Sequence, residues 1–161
     1  MSLHITSQLI ALSLLALSLT SMAATPISEA LVKSRTKGTL IYYSGTITLT
    51  GTVDWRTDDE TLDLIGDHVC FVPAGSSAKL IPREKSDSRS PWFCFSNQAM
   101  AMKSLGIPAS KPNGACGYAI EATLVVTDYI ANREESEVFD IARLVAVKSS
   151  GPLRLQSCAQ H

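Results

Sequence analysis

The chain has 161 residues, 45% of them hydrophobic and 6% aromatic, with 14 basic against 15 acidic side chains and a net charge of −1. So even a balance argues against a nucleic-acid partner, which usually needs a basic surface, and the length suits one domain. No apolar stretch reaches the roughly 20 residues that a membrane span requires, so no stable span is expected.

Residues 9–19 are apolar except for Ser13 and Ser18, and Ser21-Met22-Ala23 puts small residues where a signal peptidase reads them. A signal peptide over 1–23 is therefore expected, followed by a single domain over 24–161. No Lys or Arg precedes the run, so its positive end rests on the terminal amine and His4. Every charged residue lies beyond Ala24, which leaves the exported part at −1 as well.

Residues 26–37 read as a short helix, with Ser28 as its cap and Glu29 in its first turn. The first strand is expected over 40–56, broken near Ser44-Gly45. From Thr46 to Arg56 the alternation is nearly unbroken: Ile47, Leu49, Val53 and Trp55 share one parity, and Thr46, Thr48, Thr50 and Thr52 the other. Thr57-Asp58-Asp59-Glu60 reads as a polar turn, and a second strand follows over 62–72 with a bulge at Gly66-Asp67. Residues 74–91 form a long loop with a short strand at 78–81. A third strand covers 92–96. A helix over 98–105 is capped by Ser96 or Asn97 and closed by Gly106, with Pro108 beyond. Strands four and five span 118–129 and 138–147.

An even number of cysteines in an exported chain predicts two disulfides. Cys70, Cys94, Cys116 and Cys158 are too widely spaced for a zinc-type site, so no metal is expected. Val69-Cys70-Phe71 and Phe93-Cys94-Phe95 look alike. If they pair antiparallel, Cys70 faces Cys94, which leaves Cys116 for Cys158. The rival pairing of Cys94 with Cys116 would clip the helix between them.

The order of three strands, a helix and two strands resembles the OB-fold, a five-stranded Greek-key barrel with a helix between strands three and four. The resemblance covers the exported part and rests on element order and the mid-strand glycine, Gly51. It implies a mainly β barrel stapled by two disulfides, with Gly51 as a bend and a binding role.

Motifs for catalysis are missing. There is no Gly-x-Ser-x-Gly elbow, no glycine-rich phosphate loop and no His-x-x-x-His pair, so neither an enzyme nor a cofactor is expected. His68 beside Asp67 could serve only the least favoured reading, a small hydrolase; His161 is terminal. Asp54, Asp58, Asp59, Glu60, Asp63 and Asp67, and Glu134, Glu135, Glu137 and Asp140, read as solvated turn residues rather than a cation site. The leading expectation is a non-catalytic binding module, periplasmic or secreted, whose partner is a protein or glycan in the envelope or outside the cell. Trp92, Arg56, Arg83, Lys85 and Arg89 are the candidate contacts. The alternative is an inhibitor or immunity-type factor acting through the 74–91 loop, which is longer than ordinary connections.

Overall fold

The computed structural model describes residues 30–134 and 139–158. The expected signal peptide, Ser28, Glu29, Glu135, Glu137, Val138 and His161 lie outside them.

The fold is mainly β: eight strands in one mixed sheet, two short α-helices and one 3-10 turn. In chain order these are β1 (Val32–Lys37), β2 (Leu40–Ser44), β3 (Thr46–Arg56), α1 (Asp59–Ile65), β4 (Val69–Pro73), the 3-10 turn (Gly75–Leu80), β5 (Phe93–Phe95), α2 (Gln98–Leu105), β6 (Gly117–Asn132), β7 (Asp140–Ser150) and β8 (Arg154–Leu155). Among the described residues the strands number eight, not five, because the N-terminal segment and the tail each add a short strand and the strand expected over 40–56 divides at Gly45 into β2 and β3.

β6 is the spine. It pairs with β3 along the whole of that strand, with β2 near Ile130, with β7 on its other side and with β8 at its start. β3 pairs with β4, β4 with β5, and β5 with β7, so the ladder that leaves β6 through β3 returns to it through β7. Among the described residues only the β5–β7 pair is parallel.

The alternation in β3 has its expected result. Ile47, Leu49, Val53 and Trp55 are buried, while Thr48 and Thr50 are exposed. Gly51 sits on the buried parity for a reason the pattern does not reveal. A Cβ there would run into the Val72 carbonyl and the Phe71 ring, so glycine is needed for the close approach of β4. The core gathers Phe71, Phe93, Phe95, Leu124, Val126, Tyr129 and Leu144 around it. Each such side chain contributes about 1.5–3 kcal/mol by leaving water.

Three expectations fail. Residues 32–37 are strand β1 rather than helix; they carry no apolar face to bury, all six are exposed, and a turn at Gly38, with φ +60°, folds them onto β2. The strand expected over 62–72 is helix α1 followed by β4. The Asp58 carboxylate accepts from the Thr61 backbone N–H at 3.1 Å and the Thr61 hydroxyl at 2.8 Å, and Asp59 and Glu60 favour the first turn. Gly66, at φ +70°, ends it. The strand expected over 78–81 is replaced by the 3-10 turn, anchored by the Ser77 hydroxyl, which accepts from Thr50 N–H.

α2 appears where expected, with Ala101 and Leu105 buried and Gly106 left-handed at φ +68°. Asn97 does not cap it with its side chain. Instead its amide exchanges two 2.9 Å hydrogen bonds with the Leu144 backbone, fastening the helix to β7.

Both favoured disulfides are present. Cys70–Cys94 joins directly opposed residues of β4 and β5, with Phe71 facing Phe93, and Cys116–Cys158 ties the start of β6 to the tail. Two disulfides suit a non-reducing, extracytoplasmic environment. Among the described residues no helix is long and apolar enough to cross a membrane.

Candidate functional site

The five candidate contact residues fall into two groups on different parts of the molecule. Arg83, Lys85 and Arg89 stay with the long loop. Arg56 and Trp92 meet on the outer face of the β3–β4–β5 ladder.

The loop is fastened. The Arg83 guanidinium lies 2.7 Å from Asp140 and 2.8 Å from Asp87, and Arg89 holds Asp87 at 2.9 Å. Asp140 also accepts from the Tyr129 hydroxyl and, at 2.8 Å, from the Asn132 backbone N–H. Asp140 is 1% exposed, so reading it as a solvated turn residue was wrong. It starts β7 on the same parity as Ala142 and Leu144, and its charge is acceptable there because two arginines, a phenol and a backbone N–H surround it. Hydrogen bonds from Arg89, outweighing the cost of burial, hold the Asp87 carboxyl well below the usual carboxylate range, with Arg83 assisting. Burial first, and Asp140 second, push the Tyr129 phenol far up. Lys85 is exposed at the crest of the loop. Arg89 also lines a cleft of about 480 Å³ with Thr39, Ser86, Ser88 and Arg133.

The outer face is arranged differently. Cys70 and Cys94 have the parity opposite to the core residues Val69, Phe71, Phe93 and Phe95, yet they are only 5% and 1% exposed. Aromatic rings account for their cover. The His68 ring stands 4.9 Å from Phe139, and Phe139 stands 6.0 Å from Trp92. On either side lies a small cavity, one of about 80 Å³ lined by Asp54, Arg56, Thr61, His68, Cys70 and Trp92, the other of about 180 Å³ lined by His68, Cys94, Gln98 and Phe139. His68 and the disulfide belong to both.

The polar groups here are incompletely matched. Arg56 pairs with Asp58 at 2.9 Å. Burial raises the Asp58 carboxyl, but the Thr61 hydroxyl, Arg56 and the Thr61 N–H together bring it down to about 2. Burial raises the Asp54 carboxyl, and a hydrogen bond with Gln156 and the charge of Arg56 offset this only in part. Its Oδ1 is buried without a hydrogen-bond partner. Such an acceptor is costly to leave unmade.

Asp67, next to His68 in the chain, accepts a 2.6 Å bond from the Trp55 indole, so its carboxylate orients that buried ring rather than the imidazole. Among the described residues no cluster of His, Cys, Asp and Glu forms a metal site. Sequence reasoning placed Trp92 and Arg56 in the site but missed Phe139, Asp54 and the covering role of His68. Parity along β7 could have indicated Phe139, because Asp140 and Ala142 take the inner face. No family model, no curated protein and no solved structure matches the chain.

Proposed function

We propose that this chain is an exported, non-catalytic binding module of OB-like form, made as 1–23 signal peptide and 24–161 domain, that holds a glycan on the outer face of β3–β4–β5. The returning ladder β6–β3–β4–β5–β7–β6, with α2 between β5 and β6, supports the barrel reading. The observation that carries the ligand class is the buried, unpartnered Asp54 Oδ1 in a cavity shared with Trp92 and Arg56. A sugar brings what that site lacks: a hydroxyl to donate to the carboxylate, and a flat C–H face to lie on an indole. The near-neutral charge favours a glycan over an oligonucleotide among OB ligands. A panel of envelope and extracellular oligosaccharides, titrated while Trp fluorescence is followed, tests this. One glycan should give a saturable change that Trp92→Ala and Asp54→Asn both abolish. Absence of a response across the panel in the folded, oxidised protein would sink the reading.

The inhibitor reading has one observation in its favour. Arg83, Asp87, Arg89 and Asp140 tie the loop down by ion pairs while Lys85 is exposed, and preorganisation of this kind lowers the entropy lost on docking.

A further inference from the structure

We propose that the β1 edge is a docking strand for an extended acidic segment of a partner protein. Among the described residues β1 pairs with β2 alone and stands at the end of the sheet order, so its outer row of N–H and C=O groups is open. An open edge is a template for one more strand. All six residues of β1 are exposed, and Lys33, Arg35 and Lys37 are cations with no acid among them.

The charges near this edge decide the occupant. Two acids lie close, and both are already matched: Glu84 by Lys33 at 3.2 Å and Arg133 at 2.9 Å, Asp128 by Arg143 at 2.7 Å. Arg35 and Lys37 have no ion-pair partner among the described residues, so the edge is left net positive. Arg35 is also held in place. Its guanidinium lies 4.2 Å over the Tyr42 ring, directly opposite on β2, so one flat side is supported while the N–H fork remains for a carboxylate. Beside it opens a cleft of about 360 Å³ lined by Ser34, Tyr42, Tyr43 and Asp128, room for side chains of an added strand. A second copy of β1 is disfavoured by its like charges. A polyanion without an amide backbone would leave the edge groups unmatched.

The test uses a synthetic ten-residue peptide of alternating Glu and Val, titrated calorimetrically into the oxidised protein. Binding should be saturable and should weaken about tenfold in Arg35→Glu/Lys37→Glu. A peptide with Lys for Glu should fail against the native protein and gain affinity for the double variant. N-methylation of alternate peptide amides should abolish binding, and hydrogen exchange should slow along 32–37 but not in the core. The proposal is overturned if the N-methylated peptide binds equally well. It is equally overturned if a sulfated oligosaccharide binds at β1 and the peptide does not, or if β1 is protected only through dimers seen in sedimentation.

Discussion

The loop that ends on Asp140 and the outer face around Asp54 both place charge within a β protein, and they treat it in opposite ways. Around Asp140 the carboxylate meets two guanidiniums, a phenol and a backbone N–H, and Asp87 serves both arginines again. Around Asp54 one carboxylate oxygen is buried and unmatched, and aromatic rings stand half-covered beside it. The first arrangement matches both of its carboxylates without a ligand, although the Arg83 Nε is buried without a partner, and it belongs to the scaffold. The second leaves an acceptor unmatched, and on that ground we propose it as the binding surface.

The contrast breaks most readily at Asp140. Asp140→Ala leaves a buried phenol without its acceptor and two arginines with Asp87 as their remaining carboxylate, and should cost about 3–5 kcal/mol in urea unfolding. A loss below about 1 kcal/mol would mean that the latch is decorative. The pH response then sharpens the contrast, because the two regions have opposite signs. Asp87 has a depressed folded value, so its stabilisation is present above the ordinary carboxylate range and is lost as pH falls toward the depressed value. Asp54 has a raised folded value, so the folded state is favoured below the ordinary carboxylate range and that advantage disappears as pH rises through the raised value. Asp87→Asn should therefore flatten the acid limb of a stability profile. Asp54→Asn should match or exceed the native protein at neutral pH and lose that advantage as pH falls through the raised Asp54 value into the ordinary carboxylate range. Equal slopes in both variants would erase the distinction. The smallest effect belongs to Lys85→Ala, within about 0.5 kcal/mol in the same assay, since that side chain is exposed above the latch.

Local periodicity made much of this architecture legible. β3 was readable because eleven residues alternate, α2 because apolar positions recur at helical spacing before Gly106, and the Cys70–Cys94 bridge because two similar tripeptides invite a cross-strand match. Short segments were ambiguous. Leu62-Asp63-Leu64 alternates as a strand would, and only the Asp58 cap, which satisfies the first backbone groups, tips it to helix. β1 has neither apolar period, so pairing with β2 alone decides its form. The site was half legible. Trp92 and Arg56 stood out by residue type, whereas the latch depends on Arg83 meeting Asp140, 57 positions further along the chain, which no local pattern encodes.

The central place of β6 has a consequence for how the chain comes to its shape. β3 finds its main partner, and β2 its second, only in residues 117–132, so the N-terminal half has little beyond the β1–β2 and β3–β4 pairings to form by itself. Distant pairings of this kind make assembly slow, on a scale of about milliseconds to seconds. A polypeptide emerging from its N-terminus would hold the backbone edge of β3 open until the last third of its length arrived. The threonine hydroxyls keep one face of that waiting strand wettable while the apolar face has nothing yet to cover it.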